Sequence, residues 1–417
     1  MRGPRSRYYA LRAIGWLADQ LLLFLVPVLA FKLTGSLAWS GIALTAQWAP
    51  RLIALPVGGL LADRFDVTAF YVVNDLVRCM AGLAGVLAII LFPDEAGATV
   101  IVFSVVAGVC CEQTLVAGEK LAGRLIPPEI MPGAQSLLGS LEQGALLLAP
   151  AIGGGLVLLD TVWTALVITM LFFVSLAIAF SLPEGRRTEK PDRPISGSLS
   201  SLAGELATGL RTIGRIPVLL GIVVATMLVN LLLGAIQTAA PDLVVRSYGH
   251  SEGVLGTMYT VAGIAAMAAM PAMNRLIRRF GLLAVAAAAS LTQAVVFTLL
   301  TSASLFWVFA GLVAVFMIGD SMFTVVIRIV RITVVRPDEF GRTVAAIHML
   351  NFAPVPLVGL ILAAADGRVP LGIVIPTIGL VTLVSLALLM RRLRPLVAAC
   401  PDLHPLEEKR KARALVP

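Results

Sequence analysis

Four side chains that exchange protons readily, Asp19, Glu112, Glu142 and His348, lie well inside long apolar stretches of the sequence. An ionisable group in hydrocarbon is costly, so each of them is a functional candidate by default. If its stretch is helical, Asp19 lies about 14 Å along it from the basic entry. The histidine side chain changes its charge close to physiological pH. We therefore predict that these four residues take up and release protons, and that this proton movement is coupled to the function of the protein.

Side chains suited to hold a small molecule occur in the same stretches. Arg51 lies roughly midway along its stretch, where an arginine either neutralises a buried acid or attracts an anionic substrate. Glu112 and Asp320 lie at matching depth in the two halves of the chain, which fits proton coupling or recognition of a cationic group. Trp16 is of a type that lines apolar pockets. The predicted substrate-binding residues are Asp19, Trp16, Arg51, Glu112, Glu142, Asp320 and His348.

The elements that position these side chains are predicted to be membrane-spanning helices. Of the 417 residues, 59% are hydrophobic and only 13% are charged, which is too few charges to cover a water-exposed surface. Apolar runs of about 20 residues recur, and each must be a helix because hydrocarbon offers the backbone no hydrogen-bond partner. The net charge of +8 does not indicate nucleic acid, because lysine and arginine cluster in alternate connections. This asymmetry predicts that both termini are cytoplasmic.

About twelve spans are predicted, six on each side of a long polar segment. The expected domains are an N-terminal six-helix bundle (1–183), a cytoplasmic linker (184–215), a C-terminal six-helix bundle (216–392) and a cytoplasmic tail (393–417). Part of the linker, SLSSLAGELATGLRTIG, is predicted to form an amphipathic helix on the membrane surface. The predicted spans are 10–33, 37–62, 67–92, 98–124, 131–158, 161–182, 217–245, 252–278, 281–301, 304–335, 338–365 and 369–391.

The two halves of the chain echo each other. The segment IPPEIMPGAQSLLGSLEQGALLLAPAIGGG resembles VVRPDEFGRTVAAIHMLNFAPVPLVGLI, and this alignment places Glu142 on His348. A second pair, PVLAFKLTGSLAWSGIAL and PDLVVRSYGHSEGVLGTM, places Gly35 on Gly249. Internal repeats of this size are typical of secondary transporters, whose substrate site lies near the membrane midplane.

The segment after the second span, GGLLADRFD, resembles the loop signature of the major facilitator superfamily. The match covers Gly59, Asp63 and Arg64, and the closing Gly-Arg-Arg part of the signature is missing. In the second half, NRLIRRFG keeps the basic residues but lacks the acid. The resemblance implies a fold of two six-helix bundles and a role for these residues in gating.

The fifth predicted helix is similar to the antiporter signature of the same superfamily through Pro150, Gly153 and Gly154. With TGSLAWSG and the starts of the fifth and eleventh helices, it resembles the drug/proton antiporter branch that includes macrolide-efflux and enterobactin-exporter proteins. Asp75 and Arg78, three residues apart, are spaced to form an ion pair on one helix. The predicted gating residues are Gly59, Asp63, Arg64, Asp75, Arg78, Pro150, Gly153, Gly154 and Arg342.

The resemblance implies a proton-coupled secondary transporter that exports a small amphipathic molecule, either a drug-like compound or a siderophore, by alternating access. Its expected partners are the substrate, protons and lipid, without nucleic acid, and it is expected to be a monomer in the bacterial cytoplasmic (inner) membrane. We expect no enzymatic activity, no cofactor and no bound metal, because phosphate-loop, triad and metal-ligand patterns are missing. Two alternatives stay open: a ferroportin-like divalent metal exporter that uses Asp19 and His348, and a non-transporting membrane sensor or scaffold.

Overall fold

The protein is all-helical, as predicted. A computed structural model describes residues 3–183, 199–336 and 339–398, and every regular element in these ranges is a helix. The α-helices are α1 Pro4–Thr34, α2 Leu37–Arg64, α3 Val67–Leu91, α4 Ala96–Leu125, α5 Met131–Val157, α6 Thr161–Phe180, α7 Leu199–Arg215, α8 Pro217–Asp242, α9 Gly253–Ala269, α10 Met273–Phe280, α11 Leu282–Leu299, α12 Phe306–Val334, α13 Phe340–Phe352, α14 Pro354–Ala365 and α15 Leu371–Ala398.

Within the described residues, eleven helical segments are long and apolar enough to cross a membrane. Helix α2 is not among them, although it has 28 residues. It carries two buried polar residues in its middle, Gln47 and Arg51, which lower its apolar character. Together with α2, these segments confirm the prediction of about twelve spans. The first one begins at Pro4, six residues earlier than predicted.

Two of the predicted spans are interrupted helices rather than continuous ones. A short 3₁₀ turn containing Pro271 separates α9 from α10, and α14 restarts at Pro354 after α13 has ended at Phe352. Proline lacks a backbone N–H and its ring clashes with the preceding turn, so an α-helix does not run smoothly through it. The α-helix is therefore interrupted within the eighth and eleventh spans.

The second sequence echo has a structural counterpart at the ends of two helical segments. Gly35 follows α1 with φ of 63°, and Gly249 follows the π-helical extension of α8 with φ of 67°. Both are in the left-handed region, which glycine enters at no steric cost. Each backbone N–H bonds to the carbonyl four residues earlier, on Phe31 or Val245. The two halves thus end their first helices in the same way.

The linker contains an α-helix, α7, which packs on the start of α13. A Cβ added at Gly209 would lie 2.5 Å from the carbonyl oxygen of Arg342. The Thr212 hydroxyl donates to the Glu339 carboxylate at 2.9 Å, and Ile213 is buried. Helix α7 was predicted from the sequence, and its place on the membrane surface stays a prediction.

The chain divides into two compact units. One comprises Met1–Leu202 together with Gln237–Thr257, and the other comprises Ala203–Ile236 together with Met258–Pro417. The predicted domain bounds stay predictions.

Three cysteines, Cys79, Cys110 and Cys111, are free thiols within helices. The fourth, in the tail, lies outside the described residues.

Candidate functional site

A fully buried arginine, Arg78 on α3, is the centre of a charged cluster in the first unit. Its Nη2 lies 3.4 Å from Oδ1 of Asp19 on α1, and its Nη1 lies 3.4 Å from Oδ1 of Asp75, one turn earlier on α3. The guanidinium carbon is 5.0 Å from the ring centroid of Phe172 on α6. The pair expected from the spacing of Asp75 and Arg78 is present, and Asp19 shares the same arginine.

Uncharged side chains add hydrogen bonds to this arginine and to Asp75, while Nε of Arg78 and Oδ1 of Asp19 stay without a hydrogen bond. Ser175 on α6 donates its hydroxyl proton to Oδ2 of Asp75 at 2.6 Å, and Arg78 donates to the hydroxyl oxygen of Thr114 on α4 at 2.6 Å. Hydrogen bonds to charged groups are stronger than those between neutral groups. The guanidinium of Arg78 on α3 is thus joined to α4 directly through Thr114, and to α6 through Asp75 and Ser175. Sequence reasoning missed Ser175 and Thr114, because no pattern marks a buried hydroxyl as the partner of a distant ion.

A second buried arginine, Arg12 on α1, lies beside this cluster and has its own acid, Glu119 on α4, at 3.9 Å. Its Nη1 donates to the carbonyl oxygen of Thr114 at 3.2 Å, and its guanidinium lies 4.2 Å from the ring centroid of Trp16. Gly118 on α4 leaves the space that this guanidinium occupies. Trp16, which was predicted to bind substrate, is only 9% exposed and is covered by Arg12.

Glu112 on α4 and Arg51 on α2 form a second charged group in the same unit. Both are buried, with 6% and 3% of their surface exposed. The charged neighbours of Glu112 are Arg51, Asp19 and Arg78. A Cβ added at Gly108 would lie 2.8 Å from Nε of Arg51, so the glycine makes room for the arginine. Oε2 of Glu112 and Nη2 of Arg51 are buried without a hydrogen-bond partner.

The cluster formed by Asp19, Asp75, Glu112, Arg51 and Arg78 has one more carboxylate than it has guanidinium groups. Electrostatic interactions join Asp75 and Asp19 to Arg78, and Glu112 interacts with Arg51, Asp19 and Arg78. Charges taken out of water must be compensated, and an uncompensated buried charge is strongly destabilising. The arrangement therefore has room for one additional positive charge, carried by a proton or by a cationic ligand.

The residues of the second unit that were predicted to couple protons or bind substrate are His348 and Asp320. His348 on α13 is partly buried, its ring centroid is 4.9 Å from that of Phe352, and Arg331 on α12 is its charged neighbour. Asp320 on α12 is partly buried and follows Gly319, where an added Cβ would lie 2.8 Å from Cγ of Gln293.

Helix α5 carries the predicted antiporter motif in tight contact with two neighbouring segments. A Cβ added at Gly153 would lie 2.5 Å from Cδ1 of Phe24 on α1, and one added at Gly154 would lie 2.7 Å from Cα of Gly256 on α9. Small residues allow helices in membranes to approach this closely. Pro150 lies inside α5, and Glu142, earlier on the same helix, is exposed.

The predicted loop signature falls at the end of α2. Helix α2 ends at Arg64, but the side chains of Gly59, Asp63 and Arg64 lie outside the described residues. The next acid, Asp66, caps α3 by accepting hydrogen bonds from two backbone N–H groups and pairs with Arg124 at 3.2 Å. Sequence reasoning passed over this cap, although an aspartate just before an apolar helical run is an N-cap signal.

Long apolar helices with ion pairs buried between them define a multi-pass membrane protein. The profile of the Major Facilitator Superfamily matches residues 9–352, which is well over half of the chain. The protein belongs to this superfamily. A comparison with curated protein sequences gives no match.

Solved transporter structures share the fold over almost the whole chain. A mutant of the nucleoside transporter NupG has a TM-score of 0.72 at 11% identity, covering 94% of this chain and 100% of its own. A bacterial homologue of the iron transporter ferroportin, in an inward-facing state, has a TM-score of 0.70 at 15% identity, covering 94% and 98%. A D-xylose–proton symporter has a TM-score of 0.70 at 12% identity, covering 93% and 97%. At these identities the likeness shows the fold.

Proposed function

We propose that the protein is a proton-coupled antiporter that exports a small amphipathic molecule, cationic or neutral, from the cytoplasm of a bacterium by alternating access. In this proposal it belongs to the drug/proton antiporter branch of its superfamily. The observation that carries the proposal is the excess carboxylate of the buried cluster around Arg78 and Arg51.

The charge balance of the cluster explains how coupling would work. With one proton bound, its three acids and two arginines are electrically neutral together. When the proton leaves, the site carries one negative charge, which favours a cationic substrate or a new proton. A site that binds either partner, but not both at once, exchanges one for the other. Each unit charge moved through 100 mV contributes about 2.3 kcal/mol, so one or two protons drive useful accumulation.

Glu112 is the acid best placed to carry the exchangeable proton. Arg78 lies 3.4 Å from both Asp19 and Asp75, and Asp75 also accepts a hydrogen bond from Ser175. Oε2 of Glu112 and Oδ1 of Asp19 are both buried without a hydrogen bond, but Asp19 has an ion-pair partner 3.4 Å away in Arg78, whereas Glu112 has neither kind of partner among the described residues. A carboxylate that lacks a fixed donor gains most from taking up a proton.

The variant Glu112→Gln is expected to uncouple transport from the proton gradient. The amide is neutral at every pH, so the cluster stays balanced and no longer exchanges a proton. In proteoliposomes with an acidic lumen, the wild type should take up ethidium about tenfold faster than without a gradient, since one binding proton is worth about 1.4 kcal/mol per pH unit. For the variant we expect a ratio near one, with ethidium counterflow that is still measurable but slower than in the wild type, because the neutral cluster lacks the charge that favours a cation.

The matched control is Glu119→Gln, on the same helix. The Glu119 side chain is 56% exposed and lies 3.9 Å from Arg12, so this variant should keep the gradient effect. Full gradient stimulation in Glu112→Gln would refute the assignment of the proton to this carboxylate.

Divalent metal export is the main competing function, and the fold shared with the ferroportin homologue does not favour it over other cargoes. Asp19, one of its two predicted ligands, faces the guanidinium of Arg78 at 3.4 Å. A neighbouring positive charge opposes the binding of a metal cation. If Mn²⁺ flux is measurable and is lost in His348→Ala, the metal interpretation replaces ours.

A further inference from the structure

A groove opens in the second unit between the start of α11 and the end of α15. It has a volume of about 310 Å³. Its walls are the side chains of Phe280, Leu283 and Met390, with Val397 and several alanines, and Arg394 is the charged residue that lines it. The volume is at the lower end of the range of about 300–1,000 Å³ that is usual for small-ligand sites.

The rim of this groove is positively charged. Arg394 is exposed, as are Arg278 and Arg279 in the last turn of α10. The guanidinium of Arg279 lies 5.2 Å from the ring centroid of Phe280, which itself lines the groove. The sequence between 273 and 287 and that between 386 and 398 contain no aspartate or glutamate. The charge of the rim is therefore complementary to an anion.

Apolar walls beneath a cationic rim fit one kind of ligand particularly well. Clusters of arginine at one end of membrane helices lie on the cytoplasmic side, by the positive-inside rule. Basic pockets between helices on that side bind anionic lipid headgroups. A free phosphate ion would use the arginines but not the hydrocarbon walls formed by Leu283 and Met390.

We propose that this groove binds an anionic phospholipid of the cytoplasmic leaflet, with its phosphate at Arg394 and Arg279 and an acyl chain along Leu283 and Met390. The site belongs to the second unit alone and is independent of the acid cluster in the first. It is thus a lipid-binding site, not part of the proposed transport path.

Native mass spectrometry of the full-length protein in detergent tests this proposal. The protein is mixed with equal amounts of phosphatidylglycerol and phosphatidylcholine, and the ratio of the two bound lipids is measured. For the double variant Arg279→Gln/Arg394→Gln we expect the preference for phosphatidylglycerol to fall about 30-fold, because each of the two arginines near an anionic surface contributes about 1 kcal/mol. The control is Arg368→Gln, an exposed arginine whose guanidinium donates to the carbonyl of Ala364 at 2.9 Å.

Two further measurements distinguish binding of a phospholipid from binding of free inorganic phosphate. The variant Ala287→Trp fills the apolar wall, so it should reduce phosphatidylglycerol binding while all the arginines remain. Inorganic phosphate at millimolar concentration should leave the bound lipid in place. An unchanged lipid ratio in the double arginine variant, full binding by Ala287→Trp, or displacement of the lipid by inorganic phosphate would each overturn the proposal.

Discussion

The variant Arg78→Met is expected to transport about 100-fold more slowly than the wild type and to melt at a clearly lower temperature, because it leaves buried acids without their partner. Arg78 is fully buried and lies 3.4 Å from both Asp19 and Asp75. Its removal also takes away the hydrogen bond that Arg78 donates to the Thr114 hydroxyl and the cation that faces the ring of Phe172. Methionine fills a similar volume without the charge, so the loss is electrostatic rather than a cavity effect. Flux into proteoliposomes and thermal unfolding in detergent measure the two consequences.

The matched control for this prediction is Arg124→Met. Arg124 pairs with Asp66 at 3.2 Å, but the two side chains are 31% and 29% exposed, so water replaces the lost partner. Surface ion pairs contribute about 0–1 kcal/mol, and this variant should fold and transport nearly normally. The double variant Arg78→Met/Asp75→Asn should regain part of the lost melting temperature, because it removes one of the stranded charges. Equal effects of the Arg78 and Arg124 substitutions would contradict the central position of Arg78.

The number of the spans follows largely from the sequence, because apolar runs of about 20 residues mark membrane-spanning helices. Helix α2 is the exception, since it was predicted as a span but its buried polar residues make it less apolar than the others. Once the structure is known, the interruptions in the eighth and eleventh spans can be attributed to Pro271 and Pro354. The sequence alone does not say which prolines a helix tolerates. Pro150 lies inside α5 without ending it. The repeat signal at Gly35 and Gly249 was reliable, since a left-handed residue at a helix end needs glycine.

The charged cluster was only partly predictable. Asp19 and Arg78 are 59 positions apart in the sequence, and no periodicity connects residues on different helices. Arg12, near the basic start of the chain, is only 3% exposed because Gly118 on α4 leaves room for its guanidinium. What a single sequence shows is that a buried charge must have a partner. Which partner it has depends on how the helices pack.

The contact between Gly154 and Gly256 leads to the second large effect that we expect. In Gly256→Val, transport should fall about 30-fold, since overpacking costs about 1–3 kcal/mol. A Cβ at this position would overlap Cα of Gly154 and the carbonyl oxygen of Pro150, which are backbone atoms. Backbone cannot rotate out of the way as a side chain does, so α5 and the first turn of α9 have to separate. Gly256→Ala should show a smaller loss in the same direction.

Gly155→Val, one residue after Gly154 on α5, is the control, because an added Cβ at Gly155 has no atom within 4 Å. It introduces the same β-branched side chain. Any loss of transport that comes from replacing a helical glycine with valine, without a steric clash, should therefore occur in both variants. If the control loses as much transport as Gly256→Val, the effect comes from the helix backbone and not from the glycine contact. A loss confined to Gly256→Val would instead show that transport depends on how closely α5 approaches α9, which is the gating role predicted for the motif at Pro150, Gly153 and Gly154.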